Sequence, residues 1–170
     1  ILCFNAGQLI GNGMTLPSGP LRENMSSIKK SQIILINGKK NKEFENKIFN
    51  ISKKVEIFYS SYIPMNIKDF KNKNFFAFAG IGNPNNFFKL LSDNNLNIKK
   101  KLIFPDHYEF SKLEIKEMIG EAKENKFELI TTEKDYFRIK KYNFKNVKFL
   151  KIKLNIFKKD KLIRKILKCL

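Results

Sequence analysis

From residue 74 onward the chain alternates short apolar runs with amphipathic stretches, and this rhythm restricts the possible folds more than any other feature. Phe75 to Ala79 reads as a buried strand, followed by a tight turn at Gly80-Ile81-Gly82. Asn83 is placed to cap a helix, with Pro84 at the first helical position, where its missing N–H costs nothing. Phe87, Phe88 and Leu91 then share one helical face. Lys101 to Phe104 is a second strand, and Ser111 with Glu114 three residues later spells a capping box. Ile115, Met118, Ile119 and Ala122 recur at spacings of three and four, the core face of another helix. Phe127 to Thr131 is the third strand, Thr132 with Asp135 opens a further helix, and Val147 to Lys153 and Lys161 to Leu170 supply the last strand and helix. Such alternation predicts an α/β fold: a mainly parallel sheet with right-handed crossovers and helices on its faces.

The first 73 residues read differently. Residues 1 to 5 suggest a short buried strand, leading into a loop dense in turn residues: Gly11-Asn12-Gly13, then Pro17-Ser18-Gly19-Pro20. Ser26 or Ser27 is placed to cap a brief helix, and Gln32 to Asn37 is a second buried strand. Lys39 to Lys42 read as polar and exposed. Ile48 to Ser52 and Val55 to Tyr62 read as two half-buried extended pieces, a linker ribbon ended by Pro64, with a domain boundary near residue 60.

Charge is the compositional outlier. Lys plus Arg number 34 against 16 Asp plus Glu, a formal net charge of +18. A polyanionic partner, nucleic acid or an anionic membrane face, is one reading. Lysines spread over solvated faces is the other, and the spread favours it. Only Arg22 and Arg138 precede residue 160, whereas nucleic-acid readers concentrate arginine on one element, so the expectation is no nucleic-acid partner. Cys3 and Cys169 lie at opposite ends in apolar surroundings, without metal-ligand or disulfide spacing. No apolar run approaches the roughly 18 residues of a spanning helix. The chain opens in mid-strand, without Met, which suggests that earlier sequence is missing.

Four stretches carry candidate chemistry. Phe104-Pro105-Asp106-His107-Tyr108 holds the chain's one histidine, on a loop that follows a strand. It is either a hydrogen-bonded loop residue or, at the rim where open α/β sheets bind ligands, a group able to move a proton near neutral pH. Pro17 to Pro20 stiffen a loop presenting Arg22 beside Glu23. The guanidinium suits bidentate phosphate recognition; the bland alternative is a surface ion pair. Gly80-Ile81-Gly82-Asn83-Pro84 either holds an anion at a helix N-terminus or serves only the turn. It is no Walker A loop, since no Gly-Lys-Ser/Thr occurs anywhere in the chain. Thr131-Thr132-Glu133-Lys134-Asp135 reads as a cap with a solvated lysine. In the last helix Leu162, Ile163, Ile166, Leu167 and Leu170 oppose Lys161, Arg164, Lys165 and Lys168, a basic amphipathic pattern that packs on a sheet or lies on an anionic membrane.

In joint order and spacing these segments resemble the tetraacyldisaccharide 4'-kinase family, the lipid A 4'-kinases. The matching stretches are Gly11-Asn12-Gly13, Leu16 to Glu23, Phe76 to Pro84 with Phe87-Phe88, Phe104 to Tyr108 with Phe110, and Thr131 to Asp135. The resemblance covers nearly all of the chain, which looks like the carboxyl-terminal half or so of a family member. It implies an ATP-dependent kinase phosphorylating the 4'-hydroxyl of a tetraacyldisaccharide 1-phosphate, the lipid A precursor, at the cytoplasmic face of the inner membrane. It also implies a partial P-loop NTPase-like domain (residues 1–48), a two-stranded linker ribbon (49–62, with a second strand near 147–154) and a smaller α/β domain (63–170).

The family's phosphate-binding lysine loop, its acidic motif for Mg²⁺ and the aspartate that works with its histidine lie upstream, so these residues alone are expected to be inactive. The family tends to carry Asp where this chain has Asn5, so no polar role is carried over to that position. By resemblance His107 belongs to the proton-accepting site. Arg22 is expected to neutralise charge on a phosphate of nucleotide or lipid with Glu23 orienting it, and Asp106 to orient the histidine loop.

Overall fold

A computed structural model describes residues 1–168. The chain divides into two compact units, Ile1–Ile63 with the segment from Leu154 on, and Pro64–Lys153.

In the first unit β1 (Leu2–Asn5), β2 (Ile33–Asn37) and β3 (Glu56–Pro64) pair in parallel. The run Ile33-Ile34-Leu35-Ile36 is apolar throughout because successive side chains face opposite sides and both sides are covered. Ile34 and Ile36 meet Ile28, Phe44 and Ile48, whereas Ile33 meets Phe58 and Leu162. Ile28 belongs to a 3₁₀ turn, Met25–Lys30, capped by Asn24 rather than by Ser26 or Ser27. Phe44 and Ile48 belong to α1 (Lys42–Ile51).

That helix corrects the expectation of an extended piece at Ile48 to Ser52 and of a ribbon beginning at residue 49. Asn41 accepts the Phe44 amide as N-cap, Glu43 pairs with Lys47 one turn on, and Phe44 and Ile48 bury one face. Cys3 is exposed.

The second unit is a four-stranded sheet of β4 (Asn74–Ala79), β5 (Asn97–Ile103), β6 (Glu128–Thr132) and β7 (Val147–Leu150), in the order β5-β4-β6-β7 and parallel throughout. Its helices are α2 (Pro84–Asp93), α3 (Lys112–Glu124) and α4 (Glu133–Ile139). β4 is the buried centre. Phe75, Ala77 and Ala79 pack on Phe87, Phe88 and Leu91 of α2. Phe76 and Phe78 pack on Ile115, Met118 and Ile119 of α3. The chain leaves β4 toward β5 and returns on β4's other side as β6, so the strand order reverses at β4. The crevice outside the carboxyl ends of strands at such a reversal is where open α/β sheets take ligands.

The last expected strand is two. After β7 the Asn66 side chain clips the backbone, its Nδ2 donating to Phe149 O at 3.0 Å and its Oδ1 accepting from Lys151 N at 2.9 Å. Beyond that break β8 (Ile152–Ile156) pairs with β3 in the first sheet. The closing helix α5 (Lys159–Leu167) follows it, so residues from 154 on belong to the first unit and not to the smaller domain expected to run through 170. Leu162 decides this by closing the Ile33–Phe58 face, with Ile166 packed beside it. Ile163 and Leu167 are exposed, so of the four described residues of the expected apolar stripe two are used. Cys169 and Leu170 lie outside the described residues. Among those described, no helix is long and apolar enough to cross a membrane.

Candidate functional site

The loop leaving β5 is held from several sides. Phe104, Tyr108 and Phe110 form an aromatic cluster, with Phe104 and Phe110 edge-on to Phe78 of β4. The Tyr142 hydroxyl donates to Phe110 O at 2.9 Å. Ser111 and Glu114 close the expected capping box, and Glu114 also accepts the Tyr108 hydroxyl. The Tyr108 hydroxyl first, then the Ser111 amide and hydroxyl, hold the Glu114 carboxyl below its ordinary range. The same hydrogen bond, reinforced by desolvation, pushes the Tyr108 hydroxyl up.

This frame presents His107 in a left-handed conformation, φ 62°, with its side chain 74 % exposed. A non-glycine residue there is unusual and costs roughly 1–3 kcal/mol, which the surrounding contacts must offset. Asp106 sits against it: Oδ1 accepts the His107 amide at 2.9 Å, and Oδ2 lies 3.9 Å from Nε2.

Two residues not expected in the site complete it. Asp135, wholly buried, accepts the Gly80 amide at 2.9 Å and the Thr132 hydroxyl at 2.8 Å on Oδ2. Arg138, one turn further along α4, gives Nη1 to both Asp135 Oδ1 and Gly80 O, each at 2.8 Å. Both polar groups of Gly80 are thus pinned by one carboxylate–guanidinium pair. Arg138 Nη2 then lies 3.3 Å from His107 Nδ1.

The cap reading of Thr132 to Asp135 and the exposure of Lys134 hold, but the carboxylate also ties β4's end to α4. The sequence carried one signal for this. In a lysine-rich chain, an arginine three residues after an aspartate on a helix marks a place where a planar fork is needed.

The glycine turn answers its own alternatives. A Cβ on Gly80 would crowd Phe110 and Tyr108, and one on Gly82 would come within 3.0 Å of Asp106 Oδ2. The close approach of the histidine loop thus leaves little room for a side chain at Gly80, and at Gly82 one would push Asp106 aside. The anion on the Gly80 amide is the protein's own Asp135.

Asp106 and His107 are thus brought together in the second unit; Arg22 and Glu23 belong to the first. There both line an open cavity of about 450 Å³ that runs along the whole of β1, with Gln8, Pro20 and Met25. Among the described residues no ion pair joins Arg22 to Glu23. Asn5 Oδ1 accepts the Gly7 amide at 2.9 Å.

Comparison with known proteins gives a consistent set of likenesses. The profile of the family described as Tetraacyldisaccharide-1-P 4'-kinase matches residues 1–170. A tetraacyldisaccharide 4'-kinase of Pelagibacter ubique is 40% identical over 99% of this chain and 54% of its own length. One from Rickettsia akari is 36% identical over 99% of this chain and 51% of its own length. The chain thus spans about half the length of these curated relatives. Among solved structures, the "apo" form of LpxK from Aquifex aeolicus in complex with ATP superposes with a TM-score of 0.61. It is 21% identical, over 98% of this chain and 51% of that one, and shares the fold.

Proposed function

This chain belongs to the tetraacyldisaccharide 4'-kinase family, and on that premise we propose that the whole protein transfers the γ-phosphoryl group of ATP to the 4'-hydroxyl of tetraacyldisaccharide 1-phosphate in lipid A synthesis. The observation that carries the reading within this chain is His107: an exposed imidazole on a braced loop at the carboxyl rim of a parallel sheet, flanked by Asp106 and Arg138. Phosphoryl transfer asks a protein mainly to position groups and to neutralise charge. The acceptor hydroxyl must also lose its proton as its oxygen bonds to phosphorus. His107 takes that proton, and Asp106 orients the loop that carries it.

Arg22, in its cavity on the first unit, neutralises charge on a phosphate of the nucleotide or the lipid, with Glu23 setting its direction once the phosphate is bound. The first unit is the remainder of a nucleotide-binding domain and the second the smaller α/β domain, with β3 and β8 as the linking strands. Among the described residues no three His, Cys, Asp or Glu side chains gather as a metal site needs. Mg²⁺ in phosphotransfer sites is held by one or two carboxylates together with the nucleotide phosphates, and those carboxylates would come from acidic residues of the whole protein outside this chain. On this reading the reaction takes place at the cytoplasmic face of the inner membrane, where anionic lipid attracts Lys161, Arg164 and Lys165 of α5 and Lys168 at its end.

The test is His107→Ala in the full-length protein. Removing a general base lowers turnover roughly 10²–10⁴-fold. Turnover kept within about threefold of the parent would overturn the assignment.

A further inference from the structure

The surroundings of His107 specify which ring nitrogen carries the proton. A guanidinium has only donors, so Nδ1, 3.3 Å from Arg138 Nη2, faces it with a lone pair. The other ring nitrogen, Nε2, lies 3.9 Å from Asp106 Oδ2, too far for a direct hydrogen bond but close enough for the carboxylate, which only accepts, to favour a hydrogen on that side. A donor beside one nitrogen and an acceptor beside the other select the same neutral form, with hydrogen on Nε2.

Both flanks are themselves fixed. Asp106 is tied by the His107 amide, and Arg138 by Gly80 O and the wholly buried Asp135. One planar fork serves Gly80, Asp135 and His107 together, which the single ammonium of lysine does not do.

We propose that Arg138 is a positioning residue for His107, fixing the Nε2–H tautomer so that Nδ1 is the nitrogen that receives the substrate proton. The proposal rests on the phosphotransfer reading above. At 3.3 Å the Nη2 contact is longer than the usual N–H bond of about 2.9–3.0 Å, so an arriving hydroxyl displaces it readily. The hydroxyl proton then passes to Nδ1, and the oxygen's electron pair bonds to the γ-phosphorus of ATP. The bond from that phosphorus to the bridging oxygen breaks, leaving its pair on ADP. The imidazolium keeps its Nε2–H toward Asp106.

The experiment is ¹⁵N NMR of histidine-labelled full-length protein, with the His107 ring identified by the resonances lost in His107→Gln. The parent is expected to show an unprotonated Nδ1 and a protonated Nε2. Arg138→Lys keeps a cation beside Asp135 but breaks the fork, so the fraction with Nδ1 protonated rises; Arg138→Met, lacking any donor, does the same. In parallel Arg138→Lys lowers kcat roughly 10–100-fold, the size usual for a residue that orients a reacting one, with KM within about twofold. It costs nothing further in a His107→Ala background, because the two act as one. A parent ring protonated on Nδ1, a tautomer unchanged in both Arg138 variants, or an additive loss in the double variant overturns the proposal. Full activity of His107→Ala instead removes the phosphotransfer reading, and the ring resonances still decide whether Arg138 sets the tautomer.

Discussion

The loop that carries His107 and the loop that carries Arg22 both follow the carboxyl end of a parallel strand, yet they are built in opposite ways. The histidine loop is braced by side chains: an aromatic cluster, a capping box, a buried carboxylate and an arginine all converge on it. The arginine loop is held mainly by its own backbone. Leu16 N donates to Leu21 O, Gly19 N to Thr15 O and Leu21 N to Met14 O, while Asn12 bridges Ser18 and Met14. Of its polar ends, Arg22 and Glu23 are left lining a cavity. The difference matches the tasks proposed for the two residues. A group that moves a proton must point correctly before the substrate arrives, since a misplaced reacting atom costs heavily in rate. A group that neutralises a phosphate takes its geometry from the phosphate, whose oxygens accept the fork.

The comparison breaks first, and by most, at Asp135. Asp135→Ala strands Arg138 and the Gly80 amide, and losing one partner of a buried ion pair costs about 3–5 kcal/mol. Chemical denaturation of the full-length protein measures it; a loss under about 1 kcal/mol would mean that the bracing is not where the geometry puts it. Arg22→Ala is the counterpart. Stability stays within about 0.5 kcal/mol of the parent, as for an exposed surface change. Its kcat/KM falls roughly 10–150-fold, the loss of about 1.5–3 kcal/mol of charge-assisted hydrogen bonding. A destabilised Arg22→Ala with normal kinetics would reverse the contrast.

The smallest effect is pH-dependent. Glu114 has a folded-state pKa below its ordinary value of 4.5, set first by the Tyr108 hydroxyl. Its contribution is therefore complete above the ordinary value and is lost as pH falls through the lowered one. The melting temperatures of parent and Glu114→Gln should differ near neutral pH and converge in acid. A gap that persists well below pH 4 would assign the effect to something other than ionisation.

Much of the second unit was legible from local sequence. The Asn83–Pro84 start, the Ser111–Glu114 box and the Thr132–Asp135 cap each join residues within three or four positions, the range over which helix ends are specified. The buried faces Phe87–Phe88–Leu91 and Ile115–Met118–Ile119–Ala122 were read from spacing alone. α1 was also readable, since Phe44, Ile48 and Ile51 fall at i, i+4 and i+7 after Asn41. It was missed because Ile48 to Ser52, taken without the turn before it, looks extended.

By itself the sequence determined the parallel α/β rhythm, the caps and the solitary histidine on a strand-end loop, because all of these are interactions between near neighbours. Tertiary structure alone decided that Asp135 reaches back to Gly80, that Arg138 meets His107, and that the chain from Leu154 returns to the first sheet. These contacts join residues tens of positions apart. Their geometry depends on which strands lie side by side, and no local preference of the chain encodes that order.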